Sequence, residues 1–253
     1  MSALIFIVAK VPMAGASKTR LIPLLEAEGA ASLSRCMVLD TVSSMLGPVR
    51  GSEEKEVANT DVCVYFAPEE AVEQMRELVA PADAEGRLRL LGIPSAVQGG
   101  TGRGSSNLTD VLTHALREGQ RGGADGLYSS ITFVGSDCPH LSRSELARGV
   151  REAAAGRAYL APACDGGYVL LSLPATCPPT VFQDVRWSAT DTLASQQAAL
   201  EASGLAVSVG TRAYRDVDEP DDALALLHQA HLCSDEGTCT HSLSFLKAHP
   251  ACT

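Results

Sequence analysis

Four short segments carry side chains able to handle a charged substrate, and each follows or opens an apolar run. The first, Ala9 to Leu21 (AKVPMAGASKTRL), is a loop of small residues carrying Lys18 and Arg20. Backbone N–H groups approach an anion closely where no bulky side chain intervenes, and two cations can neutralise it, so the pattern suits phosphate capture. It is not a Walker loop, because Ser17 stands where a glycine must precede the lysine. An ordinary solvated loop with surface cations is the competing reading. The second segment is Gly135-Ser136-Asp137-Cys138-Pro139. A carboxylate in a tight turn at a strand end can hold a hard divalent cation, which takes oxygen ligands and shares them with phosphates. It can equally cap its own turn. The third, Asp165-Gly166-Gly167-Tyr168, lets backbone come close to a ligand, or simply turns the chain. The fourth is Asp216-Val217-Asp218-Glu219-Pro220-Asp221-Asp222. Asp216 and Asp218 share a side if the chain is extended there. A helix N-terminus that favours carboxylates explains Glu219, Asp221 and Asp222 better than Asp216.

Other patterns exclude chemistry. The glycines at 100, 102 and 104 do not make a dinucleotide fingerprint, and no Gly-x-Ser-x-Gly elbow is present. His140 beside Asp137 reads as an idle, solvent-exposed imidazole. The Cys/His-rich end, with His231, Cys233, Cys239 and His241, has a Cys-x5-Cys spacing too wide for the usual zinc hairpin.

The elements that must position these residues alternate along the chain. Leu4 to Val8 is a continuous apolar run, as expected of a central strand covered on both faces. Strand patterns recur at 61–66, 88–91, 130–134, 158–162, 168–173 and 206–209. Helical patterns fall at 30–46, 68–79, 107–118, 142–155, 190–203 and 218–227, with Ser142 and Glu145 forming a capping box. Strands separated by helices predict βαβ units: one three-layer α/β/α domain over residues 1–231 with a mixed, mostly parallel sheet, then a loose polar tail over 232–253. In such a sheet ligands bind beyond the carboxyl ends of the strands.

Composition sets the outer bounds. The chain has 253 residues, 45% of them hydrophobic, and a net charge of −10 from 20 basic and 30 acidic residues. The apolar fraction rules out a mostly disordered chain, and the acidic balance disfavours nucleic acid as a partner. No apolar run is long enough to span a bilayer. Met1 to Ala9 lacks a preceding basic residue and reads as a strand rather than a secretion signal, so a cytoplasmic location is expected.

Taken in order, AKVPMAGASKTRL, a Gln-Gly loop, GSDCPHL, DGGYVLLSL, a Trp-Ser segment and DVDEPDD resemble the "transferase 1, rSAM/selenodomain-associated" family from about Leu4 to Leu227. That family is related to the 2-phospholactate and molybdenum-cofactor guanylyltransferases, and some members are described as arsenosugar-biosynthesis glycosyltransferases. The resemblance implies a GT-A, nucleotide-diphospho-sugar transferase fold and a nucleoside triphosphate or nucleotide-sugar donor. It further implies a small-molecule acceptor and Mg²⁺ or Mn²⁺ as cofactor. It carries nucleotide contacts onto Ala9, Lys10, Gly15, Lys18, Thr19, Arg20, Gln98, Gly135 and Ser136, and metal ligation onto Asp137, Asp216 and Asp218. Acceptor contacts fall on Gly166, Gly167, Tyr168, Trp187 and Ser188, and catalytic roles on Lys18, Arg20 and Asp165. A non-catalytic nucleotide-binding protein is the alternative, and a homodimer is compatible with either.

Overall fold

The structure is a computed structural model and describes residues 2–47, 57, 60–83, 86–98, 108–122, 128–228 and 238–252. Seven strands form one sheet: β1 (Ser2–Lys10), β2 (Thr60–Ala67), β3 (Leu88–Gly92), β4 (Tyr128–Gly135), β5 (Ala158–Pro162), β6 (Tyr168–Pro174) and β7 (Val207–Val209), in the order β3-β2-β1-β4-β6-β5-β7. β6 runs antiparallel to both its neighbours, whereas the other pairings are parallel. Among the described residues, helices cover the two faces of the sheet. α1 (Ile22–Leu46), α2 (Val72–Val79) and α4 (Arg143–Ala154) lie on one side, where Val38, Met75 and Val150 meet Ile5, Ile7 and Val64. α3 (Leu108–Gly122) and α5 (Thr192–Ala202) lie on the other, where Leu112 and Leu200 share a core with Leu4, Phe6 and Phe133. β1 is apolar from Ala3 to Ala9 because both of its faces are covered this way. The three-layer architecture is the one that the alternating pattern predicts.

From β1 the chain steps outward through β2 and β3, then returns to place β4 on the opposite side of β1. That reversal makes a topological switch point between the carboxyl ends of β1 and β4, where Val8 pairs with Gly135. The antiparallel β6 starts at the same edge, since Val134 pairs with Leu170. No helix among the described residues is long and apolar enough to cross a membrane.

Several local expectations need correction. α1 starts at Ile22 rather than residue 30 and breaks at Glu26, whose φ is 58°. Pro68 is extended, and α2 begins only at Val72. Ser142 caps α4 by accepting from the Glu145 N–H at 3.2 Å, but the Glu145 carboxylate does not reach back; it accepts from the Tyr159 hydroxyl instead. The C-terminal stretch is not a loose polar tail over its described part. After α6 (Pro220–His228), Thr240–Ala248 forms α7, which buries Cys239, Leu243 and Leu246 against Leu33 and Met37 of α1 and Leu226 of α6. Asp40, 3% exposed, accepts the His241 and Ser242 N–H groups at 2.8 Å each and so caps α7 from the middle of α1. His231 and Cys233 lie outside the described residues, while Cys239 packs as a small hydrophobe.

Candidate functional site

Backbone hydrogen bonds carry the last acidic segment to the switch point. Beyond β7 the chain runs alongside the end of β5: the Gly210 N–H donates to the Leu160 carbonyl at 2.8 Å, Tyr214 to Pro162 at 2.9 Å, and Cys164 to Tyr214 at 2.8 Å. Next, the Val217 N–H donates to the Asp137 carbonyl at 2.9 Å. Val217 is anchored in the apolar core beside α1 and α6, so the residues flanking it, Asp216 and Asp218, are fixed next to the turn that follows β4. α6 starts at Pro220, which leaves both aspartates in the extended approach to the helix rather than within it.

The loop after β1 supplies the counter-charge. The Ala16 and Ser17 N–H groups donate to the Met13 carbonyl, and the Met13 N–H donates to Ser17 Oγ, so the loop braces itself. Lys18 follows in the left-handed region (φ 48°) and caps a single 3-10 turn over Thr19–Leu21. Its Nζ lies 2.7 Å from Asp137 Oδ1 and 2.6 Å from Asp218 Oδ1. The lysine side chain is only 9% exposed, whereas those of Asp137 and Asp218 are 50% and 46% exposed. Burial pulls the Lys18 pKa down, but the charges and hydrogen bonds of Asp137 and Asp218 outweigh it and leave the group raised, a stable ammonium. The Asp216 pKa is raised as well, which for an acid favours the neutral form. Burial first, then the negative charges of Asp137, Asp165 and Asp218, push it up to about 7 against the opposing pull of Lys18. Asp137 and Asp218 thus bond one ammonium directly, and Asp216 lies within electrostatic reach of that ammonium and of Asp165.

Asp165 joins them through the β5–β6 turn. Its Oδ1 accepts the Gly167 N–H at 2.8 Å, so this segment does turn the chain, as the paired glycines allow, while its carboxylate also acts on Asp216. Gly166 has φ 92°, and a Cβ there would overlap the Thr190 carbonyl oxygen. Its own carbonyl accepts from Leu193 at 2.9 Å, which locks the turn onto the start of α5. Beyond it stands a hydrogen-bonded aromatic wall. The Tyr168 hydroxyl donates to Gln196 Oε1 at 3.1 Å, its ring lies 6.3 Å from that of Trp187, and Trp187 Nε1 donates to Thr109 Oγ1 at 2.7 Å. Ser188 follows in the left-handed region at φ 56°.

The remaining expected residues divide by position. Lys10 is exposed at the end of β1, Gly15 (φ 73°), Thr19 and Arg20 are exposed on the segment after it, and Arg20 reaches Glu219 at 3.5 Å rather than the aspartate cluster. Ala9 is buried and Gly135 exposed, with Ser136 buried beneath the turn. Gln98 follows the edge strand β3, and its amide donates to the Ile93 carbonyl at 2.6 Å. No contact among the described residues joins it to the cluster. Residues 99–107, which complete its loop, lie outside the described residues. His140 is partly buried rather than solvent-exposed. Burial, then Arg212, pushes its pKa down to about 4, so it stands as a neutral imidazole beside Cys138 and Tyr214. Sequence reasoning missed Tyr214 and Val217, whose backbone groups draw the cluster together. The apolar Val217 between two aspartates was the available signal.

Among the described residues no three carboxylates, imidazoles or thiolates form a ready-made ligand set. The donor chemistry nevertheless fits a hard divalent cation: every donor is a carboxylate oxygen, and the gap between Asp137 and Asp218 already accommodates a positive charge. Asp137, Asp218 and Asp216 are the residues that would hold such an ion.

Comparison with known proteins agrees with this architecture. The chain is similar to a protein from Desulfovibrio desulfuricans G20 whose name places it among the nucleotide-diphospho-sugar transferases, with 21% identity over 99% of this chain and 96% of that one and a TM-score of 0.77. A nucleotidyl transferase from Methanothermobacter thermautotroptrophicus aligns over 93% of this chain and 99% of its own at 14% identity and a TM-score of 0.54. CMP:2-keto-3-deoxy-manno-octonic acid synthetase, solved with CTP, aligns over 93% and 100% at 12% identity and a TM-score of 0.51. No curated protein matches the chain in sequence. The fold is that of the nucleotide-diphospho-sugar transferases. A family model covers residues 56–189, more than half of the chain and including the turn of Asp137 and the Asp165–Tyr168 segment; the protein belongs to the family described as "Uncharacterized protein conserved in bacteria (DUF2064)".

Proposed function

We propose that this protein is a transferase that takes a nucleoside triphosphate or nucleotide sugar as donor and a small molecule as acceptor, with Mg²⁺ or Mn²⁺ as cofactor. The observation that carries the reading is the meeting of Lys18 with Asp137 and Asp218 at the switch point of the sheet. Transfer at a phosphate needs charge neutralisation and in-line positioning more than covalent help. A bound divalent cation supplies neutralisation of the donor phosphates and orients them. Lys18 and Arg20 would stabilise the departing pyrophosphate or nucleoside diphosphate. Lys10, Gly15, Thr19 and the Gly135-Ser136 backbone line the donor side. Asp165 is the candidate to accept the proton of an acceptor hydroxyl, next to the wall of Gly166, Gly167, Tyr168, Trp187 and Ser188. Solved proteins named as nucleotidyl transferases and one solved with CTP share the fold, which favours nucleotidyl over glycosyl transfer. Kinship with the rSAM/selenodomain-associated transferases and the 2-phospholactate guanylyltransferases is part of this proposal.

The engagement of Lys18 by two carboxylates favours one other reading, a protein that binds nucleotide without turnover. A thermal-shift screen of nucleotides and nucleotide sugars with and without Mg²⁺ tests donor binding, because a ligand of the native state raises the melting temperature. Mg²⁺-dependent stabilisation by a nucleoside triphosphate, followed by pyrophosphate release with an acceptor, is the expected result. Release of nucleoside diphosphate indicates glycosyl transfer. Binding without any product supports the second reading, and a flat screen removes both.

A further inference from the structure

We propose that Lys18 is an exchangeable internal counter-ion: its ammonium holds Asp137 and Asp218 together in the cation-free protein, and a divalent cation entering between the two carboxylates displaces it. The inference rests on the cation requirement in the proposed function and adds a second task for the lysine. Its first support is geometric. One ammonium bonds one oxygen of each carboxylate, at 2.7 and 2.6 Å, so it occupies the gap that a cation shared by the two would need. An ammonium and a divalent ion cannot both sit there, since like charges a few ångströms apart repel strongly at a partly buried site.

The second support is the asymmetry of exposure. Lys18 approaches from the protein side with its side chain 9% exposed, while Asp137 and Asp218 keep about half of theirs open to solvent. An incoming ion can therefore reach the carboxylates without first unpacking the lysine. The third is charge. Asp137, Asp165 and Asp218 all lie within electrostatic reach of Asp216, so one lysine leaves the cluster under-neutralised and a dication closes the deficit better. The fourth is mechanical. The loop is braced at Met13 and Ser17 and the Lys18 carbonyl is bonded by Leu21, while the four-carbon stem keeps its rotatable bonds. Exchange moves the stem and leaves the backbone in place. The freed ammonium, turned away from the cation, is then available to arriving donor phosphates. Cation loading and presentation of Lys18 become one event, and an unloaded site stays closed to phosphate.

The test uses the full chain and Mn²⁺ without nucleotide, read by the electron paramagnetic resonance of free Mn²⁺. Because the cation need not evict an ammonium, Lys18→Met is expected to bind Mn²⁺ about tenfold more tightly than the native protein. Its melting temperature in EDTA should fall below the native value and recover with Mn²⁺. A second measurement does not depend on the variant folding. In the native protein, Mg²⁺ should speed reductive methylation of Lys18 several-fold, while the exposed Lys247 of α7 reacts at an unchanged rate. Unchanged or weaker Mn²⁺ binding by a folded Lys18→Met, or Lys18 reactivity indifferent to Mg²⁺, overturns the exchange. If the native protein still binds Mn²⁺ and turns over, the proposed function stands without it. If the native protein binds no Mn²⁺, the exchange and the cation requirement fail together.

Discussion

Asp40 and Asp216 are both acids whose pKa burial raises, and the rest of their surroundings act in opposite directions. At Asp40 the remaining influences lower the value: the Ser242 and His241 bonds and the His241 charge stabilise the carboxylate at the start of α7. At Asp216 the remaining carboxylates raise it further, and Lys18 alone opposes them. One arrangement has matched its charge with dipoles and is closed. The other carries negative charge in excess of its own cation. A buried acid satisfied from within is joinery between helices, whereas a cluster of acids that repel one another fits the proposed cation site.

The contrast is broken most severely just beyond the carboxyl end of β4. Asp137→Ala should lower turnover by two to three orders of magnitude, about 3–4 kcal/mol of transition-state stabilisation, with little change in melting temperature. Near-native activity in that variant would remove the cluster from the chemistry. Asp40→Ala should do the reverse. Two helix-terminal N–H groups lose their acceptor, so unfolding in urea should show a loss of about 2–3 kcal/mol that neither Mg²⁺ nor nucleotide selectively repairs. An unchanged denaturation midpoint would deny α7 its anchor.

A smaller effect sharpens the comparison by sign. Because the folded pKa of Asp216 is about 7, the native state holds a proton that the unfolded chain releases near 4. Stability is therefore lost as pH rises from about 4 to 7 and stays lowered above that. In EDTA, Asp216→Asn should be more stable than the native protein at pH 8, on the order of 2 kcal/mol at most, and nearly equal to it at pH 4 to 5. Melts at both pH values check it, and a variant less stable at pH 8 would contradict the repulsion. The smallest effect falls on Arg20→Ala. Its pairing with Glu219 is solvent-exposed, so the melting temperature should barely move even if donor affinity weakens.

Much of this arrangement is legible in the sequence. The apolar run at Leu4 to Val8, the turn around Asp137 and the paired glycines after Asp165 each mark a strand end, and the strands do form there. Less legible is what each side chain meets. Lys18 reads as a phosphate ligand, yet in the structure its partners are Asp137 and Asp218, the second of them 200 residues away. Gln98 reads as part of the nucleotide loop, yet its amide serves the turn after β3. α7 went unseen because its apolar face is short, with Leu243 and Leu246 one turn apart, and it acquires a partner only when α1 presents Asp40 and Met37.

Local sequence determined the alternation of strand and helix, because burial on one or two faces leaves a period that neighbouring residues alone can carry. It also determined that charged and flexible residues would follow the strands. Tertiary structure decided which of those charges share a cation. That choice depends on β4 lying against β1 and on the Val217 N–H meeting the Asp137 carbonyl, contacts between distant residues whose Coulomb energy no local spacing encodes.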